Sequence, residues 1–249
     1  MIDIHCHMIS NDESKYLNEA LEMAKNAEQE GVKSIINTFN YNSNIECSSN
    51  QTEMIEKLNF MLKENNIDID VLIGNEVYYN DDLLRKIDNK EFYTLNNSRY
   101  ILIEFMESYF PKNLRNIVYE LVIRGYTPII AHVEKYHEIE ENISMVKELI
   151  REGALIQINA SSVLSRNKVC KRLLKSNEVH FIATDSNYLD CNNMKDCYDY
   201  IYKKYGFDRA NKLFIENPQK VIDNEIIYFS DESSKRKITI RNICNLNMN

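Results

Sequence analysis

Asp3-Ile4-His5-Cys6-His7 opens the chain and decides how the rest of it is read. Apolar and polar residues alternate from Met1 to His5, the pattern of a short strand. Residues two apart on a strand point the same way, so His5 and His7 aim their imidazoles into one space. Neutral imidazole is the commonest metal ligand. The chain has five histidines, and two of them fall here.

A lone His-x-His is equally well read as a pair of loop histidines. What lifts it above that reading is the recurrence of ligand-type side chains at the ends of later apolar runs. Glu76 follows Val71 to Asn75, Glu104 follows Tyr100 to Ile103, His132 follows Pro128 to Ala131, and Asp185 follows His180 to Thr184. In a parallel barrel the C-terminal strand ends gather on one face, where active sites sit.

Strand-like and helical segments alternate along the chain. Strands are expected at the start and over Ser34–Thr38, Val71–Gly74, Tyr100–Glu104, Pro128–His132, Leu155–Asn159 and Val179–Thr184. Helical stripes lie between them, for example Leu17, Ala20, Leu21, Ala24 and Ala27, or Met54, Ile55, Leu58, Met61 and Leu62, both read as core. Helices are also expected near Val169–Leu174, Asn193–Tyr205 and Phe207–Ile215, with short ones near Asp81–Ile87 and from Asn217. Seven βα units predict an α/β fold with a parallel sheet closed into a barrel. Without a linker or repeat, residues 1–224 are expected to form one domain. Residues 225–249 read as an appended tail, a hairpin over Ile226–Phe229 and Ile238–Ile240 being one reading of it.

The 249 residues suffice for a single α/β barrel, which typically uses about 250. A formal charge of −8 and a pI near 5.3 argue against nucleic acid as a general partner. No apolar run is long enough to insert in a membrane, and no export signal precedes Asp3, so a cytoplasmic protein with reduced thiols is expected. The oligomeric state is open, a homo-oligomer included. The six cysteines form no C-x-x-C pair, and none has an arginine six residues on, which excludes the phosphate loop of cysteine-dependent tyrosine phosphatases. Cys6 alternates away from the histidines and reads as packing. There is no Gly-x-Ser-x-Gly elbow and no Gly-rich phosphate loop. Imidazole and carboxylate ligands without thiolate suit Mn, Fe or Zn. A carboxylate such as Glu76 can serve two cations, and two cations together can hold a hydroxide and clamp a phosphoryl oxygen.

Several segments together resemble the PHP (polymerase and histidinol phosphatase) superfamily, and within it the manganese-dependent protein-tyrosine phosphatases of bacterial capsule and exopolysaccharide loci. They are Met1–His7, Gly74-Asn75-Glu76-Val77-Tyr78-Tyr79, Leu102–Phe105, Thr127–Tyr136, Gln157-Ile158-Asn159-Ala160-Ser161, Phe181–Asp185 and Leu213–Pro218. The resemblance runs to about Asn224 and leaves the tail outside. It implies a distorted seven-stranded (β/α)7 barrel and up to three metals. His5, His7, Glu76 and Asp185 would hold the first, and Glu76, Glu104 and His132 the second. A third site would use Asp12, but the two histidines expected with it are Asn40 and Asn187 here. An amide oxygen is a far weaker transition-metal ligand than imidazole, so two Mn2+ ions are expected, the third site being weak or empty. Asp12 reads equally as a helix N-cap.

Two phosphate-gripping arginines are also replaced, one by Lys135 and the other near Asn192. Lys135 keeps charge without the bidentate fork, and is the residue expected to neutralise the phosphate. The resemblance implies hydrolysis of phosphotyrosine on a capsule-type tyrosine kinase through a metal-bridging hydroxide. The asparagine exchanges leave two other readings open: a barrel that binds or regulates a phosphorylated partner without turnover, and a two-metal hydrolase of a small phosphate ester. His137 reads as a surface residue and His180 as a satisfied core histidine.

Overall fold

In a computed structural model of the chain, residues 1–9, 17–41, 50–106, 111, 113–187 and 193–228 are described. Eight strands, all parallel, make one sheet: β1 (Ile2–His7), β2 (Ser34–Tyr41), β3 (Asp70–Tyr78), β4 (Tyr100–Glu104), β5 (Thr127–Ile130), β6 (Leu155–Asn159), β7 (Phe181–Ala183) and β8 (Ser186–Asn187). The order is β7-β6-β5-β4-β3-β2-β1-β8. The two ends of that order are one stretch of chain. Phe181, Ile182 and Ala183 pair with β6, while Ser186 and Asn187 pair with Cys6 and His7 of β1. The sheet therefore runs round to its own first strand, a distorted seven-stranded barrel whose seventh strand is broken at Thr184-Asp185.

The strands are buried on both faces, as parallel strands covered by helices must be. One apolar cluster fills the barrel: Ile2, Ile4, Ile36, Leu102, Ile129, Leu155 and Phe181, with Leu95 and Tyr100. The other lies between strands and helices and takes the remaining face of each strand, such as Cys6, Ile35, Val71, Ile103 and Ile130. The helix Leu17–Gln29 adds Leu17, Ala20, Ala24 and Ala27 to it, and Asn50–Glu64 adds Met54, Ile55, Leu58 and Leu62. Gly74 serves the inner floor: a Cβ there would meet Ile36 Cγ2 at 2.8 Å and Leu95 Cδ2 at 2.9 Å. Overpacking of that kind costs about 1–3 kcal/mol.

Above this apolar floor, the same inward register carries polar side chains. Counting by two leads from Ile36 to Asn40, from Leu72 to Glu76, from Leu102 to Glu104, from Leu155 to Gln157 and Asn159, and from Phe181 to Asp185. β1 needs an extra residue to join that layer, because Ile2 and Ile4 have the opposite parity to His5 and His7. The register supplies it: Asp3 pairs with Ile35 but Cys6 with Asn37, a bulge of one residue. Bulges re-aim side chains in this way next to active sites. Ile4 thus stays in the floor, His5 and His7 enter the mouth, and Cys6 faces the outer core.

Several boundaries differ from the sequence reading. β3 continues past Gly74 to Tyr78 because β2 continues to Tyr41 beside it, pairing Asn40 with Glu76 and Tyr41 with Val77. Glu76 is therefore inside a strand, not beyond its end. β5 stops at Ile130, two residues before His132, and β7 is only Phe181–Ala183. A short helix over Ala160–Leu164 was not expected, and Lys212–Glu216 widens into a π-helical turn within the expected Phe207–Ile215 helix. Asp12, Asn192 and residues 229–249 of the tail lie outside the described residues.

Candidate metal centre

Each strand delivers its side chain differently. His5 and His7 leave the bulged end of β1, with their Nε2 atoms 3.2 Å apart. Glu76 rises from the middle of the sheet on β3 and is only 3 % exposed. Its Oε1 lies 3.2 Å from both His5 Nε2 and His132 Nε2, and its Oε2 lies 3.2 Å from His7 Nε2. Glu104, at the last position of β4, brings Oε1 to 3.3 Å from His132 Nε2. Asp185 Oδ1 lies 3.3 Å from His5 Nε2 and 3.4 Å from His7 Nε2.

His132 and Asp185 share an unusual backbone. Both have positive φ, 31° and 52°. A non-glycine residue pays strain there, and such residues concentrate at functional sites. The left-handed turn after β5 gives His132 an inward aim that strand parity alone denies it, since Ala131 is already inward. At Asp185 the turn is pinned by its N–H donating to His5 O at 2.8 Å. Beneath it the buried Asp3 carboxylate accepts the N–H groups of His5 and Thr184 at 3.2 and 3.1 Å, and the Thr184 hydroxyl donates to its other oxygen. Burial, partly offset by those bonds, raises the Asp3 pKa to about 6.

Two groups of three side chains each offer ligand atoms within 4.8 Å of one another: His5, His7 and Glu76, and Glu76, Glu104 and His132. Glu76 belongs to both. This donor set, imidazole and carboxylate without thiolate, fits a pair of transition-metal cations. The electrostatics agree. Burial opposes a charge on His7, yet hydrogen bonds to Asp185 and Glu76 outweigh it and lift the pKa to about 10. For His132, bonds to Glu104 and Glu76 likewise outweigh burial and raise it to about 9. Burial also opposes charge on Glu76 and Asp185, but the surrounding histidines, and Lys135 for Asp185, hold both carboxyls well below their usual range. The clustered carboxylates make the pocket one that favours positive charge.

Lys135 ends the 3₁₀ turn Val133–Lys135 after His132 and donates from Nζ to Asp185 Oδ2 at 2.7 Å. Its side chain is 41 % exposed, so the ammonium stands at the mouth and not in the cluster. Asn40 is paired in register with Glu76, and Asn187 with His7, so both asparagines stand at the rim beside ligand-type residues. His137 is exposed and pairs with Glu141. Cys6 is buried, its thiol turned to Ser186 O and its pKa pushed well up by burial, so it offers no nucleophile.

Three residues of the site stand in the family-like segments but were given no role from the sequence. Gln157 and Asn159 on β6 join the cluster by hydrogen bonds; both break an otherwise apolar buried strand, a signal that could have found them. Tyr78, two residues beyond Glu76, hydrogen-bonds Glu104; burial and that carboxylate push its pKa well up, so the phenol stays a proton donor. The inward parity of Tyr78 with Glu76 was readable once β3 was known to reach it.

The fold and the cluster together define a class: a distorted seven-stranded βα barrel of the PHP type with a two-centre constellation of imidazoles and carboxylates at its mouth. A family model described as capsular polysaccharide synthesis, CpsB/CapC, matches residues 1–223. The chain belongs to this CpsB/CapC family. It is 32% identical over 246 residues to the tyrosine-protein phosphatase CpsB of Streptococcus agalactiae serotype III (strain NEM316), covering 91% of this chain and 100% of the relative. It is 30% identical over 239 residues to the tyrosine-protein phosphatase YwqE of Bacillus subtilis (strain 168), covering 92% and 94%. One solved chain, described under "Crystal structures of YwqE from Bacillus subtilis and CpsB from Streptococcus pneumoniae, unique metal-dependent tyrosine phosphatases", superposes with a TM-score of 0.84 at 29% identity, over 92% of this chain and 96% of that one. The phosphotriesterase of Mycobacterium tuberculosis, at 11% identity and a TM-score of 0.58 over 92% and 94% of the chains, shares the fold alone. No helix among the described residues is long and apolar enough to cross a membrane.

Proposed function

We propose that this chain is a metal-dependent protein-tyrosine phosphatase that hydrolyses phosphotyrosine on a capsule-type bacterial tyrosine kinase, in the cytoplasm and with Mn2+. The observation that carries it is the sharing of Glu76 between two ligand groups at one barrel mouth. His5, His7, Glu76 and Asp185 would hold one cation and Glu76, Glu104 and His132 the other. When bound, such a pair supplies Lewis-acid charge on a phosphoryl oxygen and a nucleophilic water at neutral pH. The chain's own residues do the rest. His5 turns Nδ1 to Gln157 Oε1 at 3.3 Å, which aims the opposite ring nitrogen, Nε2, into the cluster. Lys135 places a flexible positive charge at the mouth, where a phosphate dianion must approach. With Cys6 sealed in the outer core, direct attack by water is favoured over a phosphocysteine intermediate.

A second reading draws support from Asn40 and Asn187, which stand at the rim where the resemblance implies histidines: a barrel that binds a phosphorylated partner without turnover. Metal analysis and a phosphoester panel on one preparation separate the two. Two equivalents of metal with turnover of a phosphotyrosine peptide supports the phosphatase. Metal without turnover on any phosphoester supports the binding reading, and no metal sinks the phosphatase. Asn40→His with Asn187→His is expected to add a third metal equivalent and raise kcat. A third equivalent without a gain in kcat rejects the idea that a missing third metal limits the rate.

A further inference from the structure

β6 contributes no ligand to either group, yet its two inward polar residues touch both. Gln157 is fully buried. Its Oε1 accepts from the backbone N–H of His132 at 2.7 Å and from His5 Nδ1 at 3.3 Å. Its Nε2 donates to Asn159 Oδ1 at 2.8 Å, and Asn159 Nδ2 donates to Asp185 Oδ2 at 2.7 Å. The short bond from a backbone N–H fixes which end of the Gln157 amide is oxygen. That in turn fixes the orientation of Asn159, whose carbonyl must accept and whose amide must therefore face Asp185. The backbone N–H of Asn159 is held by Glu134 Oε1 at 2.9 Å, so the relay has a fixed base.

The two histidines are gripped by different means. His5 is oriented through its ring. The His132 ring has no such partner: its Nδ1 is buried without a hydrogen bond among the described residues. Apart from the Glu76 and Glu104 carboxylates that its Nε2 faces, His132 is oriented by its left-handed backbone, and Gln157 is the acceptor that holds that backbone N–H. We infer that Gln157 is a positioning residue for both metal centres at once, and that Asn159 extends its hold to Asp185 of the first centre only. This rests on the two-centre reading above. It assigns β6 a role in metal affinity that the ligand positions do not reveal. Outer partners of ligands typically govern about 10- to 100-fold in metal affinity.

The two residues make different predictions, readable without any turnover. Mn2+ is titrated calorimetrically into the metal-free full-length protein. The step that disappears in Glu104→Gln identifies the second centre. Gln157→Met, which keeps the volume and removes both the acceptor and the donor, is expected to weaken both steps by at least about tenfold. Asn159→Leu is expected to weaken the first-centre step alone. Gln157→Glu keeps an acceptor for both donors and is expected to recover the second-centre step, a rescue that a merely space-filling residue would not show. Circular dichroism and urea unfolding of the metal-free variants verify the fold. If Gln157→Met does not fold, Asn159→Leu and Gln157→Glu still decide. Equal weakening of both steps by Asn159→Leu, or a second step left weak in Gln157→Glu, overturns the inference, as do unchanged affinities in Gln157→Met. A wild-type protein that takes up fewer than two Mn2+ overturns the two-centre reading instead.

Discussion

Two buried histidine environments sit at opposite ends of the same barrel, and they behave in opposite ways. At the mouth, His7 and His132 face Glu76, Glu104 and Asp185, and their pKa values rise to about 10 and about 9. At the base, His180 leads into β7. Its Nδ1 accepts the Ile156 N–H at 3.1 Å, and Asn217 holds its backbone oxygen at 2.9 Å. Burial, with Arg209 and Lys212 nearby, drops its pKa to about 3. Burial disfavours the charged imidazole at both ends. Only at the mouth do carboxylates reverse it. A buried histidine is thus a ligand candidate when its neighbours call for positive charge, and a core residue when a backbone N–H already uses its lone pair.

The largest break in that contrast is removal of the shared carboxylate. Glu76→Gln is expected to abolish tight metal binding at both centres and to lower kcat on a phosphotyrosine peptide by about 10³-fold, the scale of several kcal/mol of charge stabilisation. His180→Asn, which keeps an acceptor at the base, is expected to leave metal stoichiometry unchanged. Elemental analysis of both variants checks the pair, and metal loss in His180→Asn would erase the distinction between the two ends.

Acidity comes next. Metal must displace the protons that His7 and His132 hold in the metal-free protein. Because both pKa values lie above neutral, apparent affinity should rise as pH rises, by roughly tenfold per pH unit for each proton displaced. Calorimetry in buffers of different ionisation enthalpy should detect the released protons near neutral pH, and a flat profile there would mean the mouth histidines are already neutral.

The base responds with the opposite sign. His180 has a depressed folded pKa against 6.5 for the free group. Its neutral form contributes stability above the unfolded pKa, and that contribution is lost as pH falls from 6.5 towards about 3. The loss should reach about 2 kcal/mol near pH 5, and His180→Asn should be spared it. Urea unfolding of both proteins at neutral and mildly acidic pH isolates this from Asp3, which is common to the two. The smallest effect is expected at the rim. Lys135→Met should raise KM for phosphopeptide by about tenfold, the worth of one charge-assisted contact in a partly solvated site, while metal stoichiometry stays at the wild-type value.

Much of this was legible in the chain itself. The alternation of apolar runs and helical stripes implied the βα barrel, since a parallel strand buried on both faces must read as apolar. The ends of those runs marked His5, His7, Glu76, Glu104, His132 and Asp185. His180 was separable because it begins an apolar run, whereas the ligand-type residues end theirs. Gln157 and Asn159 carried a signal, two amides in a buried strand within a family-like segment, but amides bind no transition metal well and so they were given no role.

Composition and periodicity determined the architecture and the residue types available to the mouth, because burial and strand parity are local properties that a sequence states directly. Tertiary structure alone decided the aim of those side chains. The bulge in β1 keeps Ile4 in the floor and still turns His5 inward. The left-handed backbone of His132 swings that ligand to where parity does not send it, and the left-handed backbone of Asp185 breaks the seventh strand there. The length of β3 depends on β2 running beside it. The relay through Gln157 exists only because strands far apart in sequence close into a ring. Each of these is set by hydrogen bonds between distant segments, and no single stretch of chain contains both partners.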